Sequence, residues 1–283
     1  MKRIRIIHRT AYHYRQPVSF GTHRALMRPR EGHDVQIVRG SIEIDPASEV
    51  RWLRDIYGNS AAIITFSQPG RVLRILSEVE VDLREDQPVE CLIDPIARSY
   101  PFQYAADEQI ELVPFRLPSY PHDSQALQHW LLDLYRPGQL IDTFELLNRL
   151  NTRIHDCLQY AAHDTPGVQA PCVTLARGSG SCRDYAVLMM EAARHWGFAS
   201  RFVSGYIQMA QGQHGATHAW TEIYLPGAGW HGFDPTNNKR VGAEHISVAV
   251  AREQEKAMPL SGVWEGQADA FERMEISVQV VPV

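Results

Sequence analysis

Short runs of apolar residues alternate with polar residues over the first part of the chain. In SEVEVDL (77–83), Val79, Val81 and Leu83 alternate with charged residues, which is the period of a half-buried β-strand. Further strand candidates of similar length lie at 4–6, 35–38, 41–45 and 61–66. Short strands at this spacing are typical of an antiparallel sandwich, so residues 1–90 predict an N-terminal β domain.

Beyond this region the apolar positions follow the period of a helix. A proline-bearing stretch at 91–121 predicts a linker packed along the surface, and amphipathic patterns at 122–135 and 142–162 predict two helices. The second helix begins with a capping-box pattern. Cys157 lies on its apolar stripe, and we expect this cysteine to fill the core.

The third predicted helix, in GSGSCRDYAVLMMEAARHWGF (178–198), begins with a cysteine. Ser181 is followed three positions later by Asp184, a capping pattern that makes Cys182 the first helical residue. We expect Asp184 to act as this cap. Apolar residues recur at helical spacing, which predicts a largely buried helix. These residues are Tyr185, Leu188, Met189, Ala192 and Trp196.

Three strands are predicted after this helix, at 200–209, 218–225 and 230–235, with the turn PGAG between the last two. The tail at 274–283 alternates in the same way and predicts a final strand. Helices followed by strands in this order indicate an α+β arrangement for the second part of the chain.

The hairpin formed by the last two of the three strands brings a histidine and an aspartate together. If Tyr224 pairs with Trp230, Asp234 lies opposite Trp220. Trp220 is two residues from His218 and shares its face of the sheet, so His218 and Asp234 become diagonal neighbours, roughly 7–8 Å apart at the backbone. Their side chains can then close to a hydrogen bond. A register shifted by one residue would place them on opposite faces.

The position of Cys182 suits a nucleophile. The N–H groups and the dipole at a helix start favour the thiolate, which is the reactive form of cysteine. A small residue that is merely tolerated there is the alternative interpretation. A thiolate nucleophile is paired with an imidazole and with a third group that orients the imidazole. His218 and Asp234 supply these two groups.

Composition and charge exclude several classes of function. The chain has 283 residues, of which 44% are apolar and 22% charged, and its net charge is -5. These values are typical of a soluble globular protein and indicate neither nucleic acid nor an anionic membrane as a partner. No signal peptide is visible, and no apolar run approaches the roughly 20 residues of a membrane span. The four scattered cysteines, including Cys91 and Cys172, predict a reduced, cytoplasmic protein.

The sequence predicts no metal and no cofactor. The cysteine spacing fits no zinc finger or ribbon, and no acidic loop of the EF-hand type is present. His214 and His218 are four residues apart, but the glycines of QGQHGATH indicate a loop that leads into a strand. We therefore expect His214 at the rim of the site.

Three motifs in order, GSGSCRDYA, HAWTEIY and GWHGFDPT, resemble the transglutaminase-like superfamily. The stretch HRTAYHYRQPVSFGTHRALMRPR and the hexapeptide RDIYGN (54–59) resemble the N-terminal β domain of its bacterial branch, which is described as candidate cysteine proteases. The resemblance implies an α+β fold. In this fold, the sandwich-like domain is followed by a papain-like or transglutaminase-like core at 122–283. Its helices pack on a small antiparallel sheet, and it includes a C-terminal strand. It also implies a triad in which Cys182 is the nucleophile, His218 the base and acid, and Asp234 the orienting group.

The expected reaction is acyl transfer through a thioester, on a peptide or isopeptide bond of a peptide or protein substrate. The backbone N–H of Cys182 is a candidate oxyanion donor, and Tyr160 is a second one. Hydrolysis is favoured over cross-linking because nothing in the sequence marks a site for an amine. Amide exchange by the same triad and a catalytically silent binding module remain the alternatives.

Overall fold

The computed structural model describes residues 2–84, 92–162, 167–208 and 217–283. The strands are β1 (Lys2–Ala25), β2 (Val35–Asp45), β3 (Ser48–Arg54), β4 (Ser60–Phe66), β5 (Gly70–Leu83), β6 (Ser99–Tyr100), β7 (Ile141–Asp142), β8 (Gln159–Tyr160), β9 (Ser179–Gly180), β10 (Ser200–Ile207), β11 (Thr217–Leu225), β12 (Gly229–Asp234), β13 (Lys239–Arg240), β14 (His245–Ala251), β15 (Leu260–Glu265) and β16 (Phe271–Pro282). The helices are α1 (Ala106–Arg116), α2 (Ser124–Leu131), α3 (Thr143–Cys157), α4 (Pro171–Arg177) and α5 (Cys182–His195), with 3-10 turns at Pro95–Ala97, Pro121–Asp123 and Gln254–Ala257.

The N-terminal β region is organised around β1, a strand of 24 residues. Its first part pairs antiparallel with β5 and β16, and its last part pairs antiparallel with β4 and β15. The ladders shift register after His13, which lets one strand serve both groups of partners. The sequence prediction of an antiparallel β domain is confirmed.

The C-terminal strands do not extend the second sheet. β15 and β16 both pair with β1, so residues 260–282 lie with the N-terminal strands instead of with the predicted core at 122–283. The stretch at 91–121, predicted as a linker, contains the helix α1. Alternation along a strand shows which residues share a face but not which strand is the partner, and this explains the first difference.

The second sheet has five strands in the order β13-β12-β11-β10-β14, all paired antiparallel. Helix α5 packs on β10 and β11, and α3 packs on α5. Apolar side chains of α3, α5 and the hairpin β11–β12 form one core, which includes Leu150, Leu188 and Phe233. The predicted α+β core of helices on a small antiparallel sheet is confirmed. No helix among the described residues has the length and apolar character that a membrane span requires.

Both ends of α5 are fixed by buried polar contacts. At its start, the backbone N–H of Ser181 donates to Asp184 Oδ2 at 2.7 Å, which confirms the predicted cap. Near its end, Arg194 and Glu191 form an ion pair at 2.6 Å with almost no exposed side-chain surface. The guanidinium of Arg194 also donates to the carbonyl of Ser200. It donates to the carbonyl of Arg252 as well, so these two bonds to groups outside the helix fix its end in place.

The RDIYGN segment joins the N-terminal strands to the second sheet. Asn59 is fully buried, and its Nδ2 donates to the carbonyl of Val250 in β14 at 2.8 Å. The N–H of Val250 donates in turn to Asn59 Oδ1 at 2.9 Å. The same Oδ1 accepts from Arg30, and Nδ2 also donates to Asp55. One side chain therefore pairs both backbone groups of an edge-strand residue.

We predict that Asn59→Ala lowers the free energy of unfolding by about 3 kcal/mol. The change leaves two backbone groups of Val250 buried without their partner, and each such group costs about 1–3 kcal/mol. Thermal and denaturant unfolding would measure the loss. Arg54→Ala, at an exposed position of the same turn, is the control and should change stability by less than about 0.5 kcal/mol. Equal effects of the two changes would contradict the anchoring role.

Candidate active site

Cys182 is the first residue of α5 and is half-buried. The chain enters α5 from the short strand β9. This strand pairs in parallel with β8, so that Tyr160 lies beside Gly180. A Cβ atom on Gly180 would lie 2.8 Å from Asp184 Cβ. Glycine is therefore required where the chain turns tightly into the helix.

The predicted hairpin register is confirmed. Tyr224 pairs with Trp230, and the pairing continues to Thr221 opposite Phe233. His218 and Asp234 meet as expected, with His218 Nε2 at 2.8 Å from Asp234 Oδ2. The contact lies at the open end of the hairpin.

Asp234 is fully buried, and five donors surround its carboxylate. Oδ1 accepts from the backbone N–H groups of Thr236 and Asn237. Oδ2 accepts from His218, from the Asn237 side chain at 2.7 Å, and from His245 at 3.0 Å. Burial by itself disfavours the carboxylate, but these hydrogen bonds outweigh it and hold the pKa of Asp234 well below its usual range.

His218 contacts both other members of the predicted triad. Its Nε2 is occupied by Asp234, and a hydrogen bond also links its side chain to that of Cys182. Burial disfavours the imidazolium, yet the contacts with Asp234 and Cys182 prevail and raise the pKa of His218 to about 9. The structure thus brings Cys182, His218 and Asp234 together in one hydrogen-bonded line, and their catalytic roles stay a prediction.

His245 was missed by the sequence analysis. It is the first residue of β14, and the ladder places it opposite Ile207 in β10. Its side chain is fully buried, 6.1 Å from the His218 ring between centroids. The available signal was an isolated histidine at the start of an apolar run, HISVAVA, which also describes many core positions.

A glycine in β10 makes room for the tryptophan on which His245 packs. Gly205 pairs with His218 on one side and with Ser247 on the other. A Cβ atom there would lie 2.3 Å from the carbonyl oxygen of Ile246 and 2.5 Å from Cη2 of Trp220. The indole of Trp220 occupies this space, and the His245 ring packs on it at 5.2 Å between centroids.

His218, Asp234 and His245 each present one ligand atom, all within 4.8 Å of one another, so the set could in principle hold a metal ion. The two nitrogen–oxygen separations of 2.8 and 3.0 Å are those of hydrogen bonds. Ligands around a tetrahedral zinc at about 2.1 Å would lie about 3.4 Å apart. The spacing therefore fits hydrogen bonding better than metal coordination.

The remaining candidates lie around this centre. Cys157 packs against the core of helices, as predicted, and burial raises the pKa of its thiol. Cys172 is half-buried near Asp123 and outside the hydrogen-bonded line. Tyr160 is about half exposed, and the burial of the rest of its ring together with the nearby charge of Cys182 raises the pKa of its phenol. His214 falls outside the described residues.

Family models match two parts of the chain. The model described as "Transglutaminase-like superfamily" matches residues 138–235, which include all three members of the predicted triad. The model described as "Bacterial transglutaminase-like N-terminal region" matches residues 4–82. The chain belongs to the transglutaminase-like superfamily. The resemblance noted in the sequence is thereby confirmed for both the transglutaminase-like core and the β region that precedes it.

Two relatives align with almost the whole of this chain. An uncharacterized protein of Mycobacterium tuberculosis strain H37Rv is 29% identical over 99% of this chain and 93% of its own length. An uncharacterized protein of Mycobacterium leprae is 23% identical over 94% of this chain and 95% of its own. A crystal structure described as a "putative cysteine protease" from Cytophaga hutchinsonii matches with a TM-score of 0.75 and 19% identity, over 100% of this chain and 91% of that one. At this identity the match shows the fold.

We predict that His218 stabilises the transglutaminase-like fold in a pH-dependent manner. The pKa of His218 is about 9 in the folded protein and 6.5 in the unfolded chain. At a pH between these two values, the native protein holds a proton that the unfolded chain has lost. The stabilisation is therefore complete below pH 6.5 and is lost as the pH rises to 9. The difference in unfolding free energy between wild type and His218→Gln should shrink by about 3 kcal/mol across that window. His129→Gln, at an exposed site, should keep the wild-type pH dependence, and a constant difference for His218→Gln would contradict the assignment.

We also predict that Gly205→Ala disorders the centre of the site. The added methyl collides with a backbone oxygen and with the Trp220 ring, and overpacking of this kind costs about 1–3 kcal/mol. The thermal midpoint should fall, and the near-ultraviolet circular dichroism of the tryptophans should change. Gly32→Ala, where a Cβ meets only the movable Asp34 carboxylate, should leave both signals unchanged. A Gly205→Ala protein with both signals of the wild type would contradict this prediction.

Proposed function

We propose that this chain is a cysteine-dependent acyl-transfer enzyme that cleaves peptide or isopeptide bonds through a thioester. Membership of the transglutaminase-like superfamily supports an enzyme of the cysteine type. The observation that carries the proposal is the line of contacts from the Cys182 thiol through His218 to the buried Asp234.

Cys182 is the nucleophile in this proposal. The thiol stands at the start of α5, where backbone N–H groups and the helix dipole favour negative charge. An imidazolium at His218 adds a positive charge beside it. Cys182 is half-buried instead of sealed in the core, so a carbonyl group can approach the sulfur.

His218 moves the proton, and Asp234 orients His218. The thiolate attacks the carbonyl carbon, and the C–N bond breaks as the imidazolium donates its proton to the leaving amine. Water attacks the resulting thioester and gives its proton to the now neutral imidazole. The C–S bond then breaks, which releases the carboxylic acid product and restores the Cys182 thiolate. Because Nε2 is held by Asp234, Nδ1 is the nitrogen that faces the thiol and the substrate.

The negative charge that develops on the carbonyl oxygen needs a donor. The backbone N–H of Cys182 at the helix start is the first candidate. The phenol of Tyr160 is the second, because β8 holds this residue beside Gly180, two positions before the thiol. Its exposure of 55% leaves it free to turn toward a bound substrate.

The test measures acylation of Cys182 by a simple acyl donor, 4-nitrophenyl acetate. Release of 4-nitrophenol gives the rate, and intact-protein mass spectrometry detects the acetyl group on the protein. We expect rapid transfer of one acetyl group to Cys182, followed by hydrolysis. His218→Ala should slow this acylation by about 10²–10⁴-fold, the usual contribution of a general acid–base group. Cys157 and Cys172, which lie outside the hydrogen-bonded line, provide internal controls by peptide mapping.

Each outcome assigns a different function. Acylation of Cys182 no faster than that of Cys157 and Cys172 would overturn the proposal and favour a silent binding module. If acylation of Cys182 is rapid and an added primary amine is converted into an amide, the result would favour amide exchange over hydrolysis. A peptide library offered to the active protein would then identify the acyl group that it accepts.

A further inference from the structure

His245 makes a contact that the triad alone does not explain. Its ring is fully buried, and its Nε2 lies 3.0 Å from Oδ2 of Asp234, the same oxygen that accepts from His218. We propose that His245 is a positioning residue, which donates a hydrogen bond to Asp234 and through this carboxylate orients the imidazole of His218. This inference rests on the proposed function, because it assigns His245 a part in the chemistry of Cys182.

The hydrogen bonds around His245 fix its tautomer. Its Nδ1 lies 3.3 Å from the backbone nitrogen of Gly242, which can only donate. Nδ1 therefore accepts, and a neutral ring must carry its proton on Nε2. The carboxylate of Asp234 can only accept, so Nε2–H points at it. The carboxylate oxygen Oε1 of Glu244 lies 3.9 Å from Nδ1, which is outside hydrogen-bonding range.

His245 is the donor to Oδ2 that solvent cannot replace. The third side chain on this oxygen, the amide of Asn237, belongs to an exposed residue. A water molecule can take over from an exposed amide, but the His245 ring is enclosed by Trp220 and the strands β10 and β14. Removing its N–H would leave the amide of an exposed residue as the one side chain, besides His218 itself, that holds Oδ2, so the carboxylate would be fixed less firmly against His218.

Gly205 supports the same conclusion from the backbone. A Cβ atom on Gly205 would collide with the Trp220 indole, so the glycine makes room for the ring on which the His245 imidazole packs. The fold thus accepts a glycine inside a strand, which weakens the strand, next to the contact between His245 and Asp234. Packing alone would be served as well by an apolar residue at 245.

The experiment compares His245→Leu with His245→Gln. Leucine fills the space without a donor, whereas the glutamine amide can place an N–H near the position of Nε2. The readout is the pH profile of alkylation of Cys182 by iodoacetamide, followed site by site with mass spectrometry. We expect His245→Leu to lower the rate at pH 6 by about 10–100-fold, the usual effect of losing an outer hydrogen-bond partner. His245→Gln should retain the rate to within about threefold. His231→Leu, a half-buried histidine of the same hairpin that packs on Phe144, is the control and should keep the wild-type profile.

The outcomes separate this inference from the proposed function. A wild-type Cys182 that reacts like Cys157, or that is unaffected by His218→Ala, would overturn the proposed function itself. A reactive, His218-dependent Cys182 whose profile is unchanged in His245→Leu would overturn only the role of His245. Equal losses in His245→Leu and His245→Gln, with thermal midpoints near that of the wild type, would also overturn the donor role.

A second measurement reads the tautomer of His245 in the wild-type protein itself. In wild-type protein with ¹⁵N-labelled histidine, two-bond proton–nitrogen spectra distinguish the two tautomers, and loss of one ring signal in His245→Gln assigns it. We expect His245 to carry its proton on Nε2. A ring protonated only on Nδ1 would overturn the proposal, because such a ring cannot donate to Asp234.

Discussion

The arrangement of the site depends on one buried carboxylate. An ionised side chain removed from water is costly unless hydrogen bonds replace its hydration. Asp234 meets this requirement with donors from β11, from β14 and from the turn that follows β12. These segments are separate in sequence, and the need to satisfy a single charge holds them in one place. The thiol at the start of α5 then has a fixed imidazole beside it.

Local features of the sequence predicted much of this site. The capping pattern around Ser181 and Asp184 placed Cys182 at a helix start, and the pairing of Tyr224 with Trp230 brought His218 to Asp234. Both inferences use interactions between residues close in sequence, where turn length and capping chemistry leave few alternatives. The β character of the N-terminal region was predicted for the same reason.

Contacts between distant segments could not be predicted in this way. His245 lies near Asp234 because β14 pairs with β10 and because Gly205 makes room for the Trp220 ring on which His245 packs. The last strand, β16, pairs with β1 at the other end of the sequence. Alternation of apolar residues identifies a strand and its buried face, but many pairings satisfy the same alternation. The anchoring of Val250 by Asn59 is likewise non-local.

The helix α5 carries Cys182 and its buried ion pair at opposite ends. Arg194 lies 12 residues after Cys182, which is about 18 Å along the helix axis. A slip of one residue would shift the thiol by about 1.5 Å and rotate it by about 100°, away from His218. Glu191 lies on the same helix, so it is the bonds from Arg194 to the carbonyls of Ser200 and Arg252, outside the helix, that act as an axial stop at the end opposite the sulfur. Weakening that stop would alter the reactivity of a thiol that it never touches.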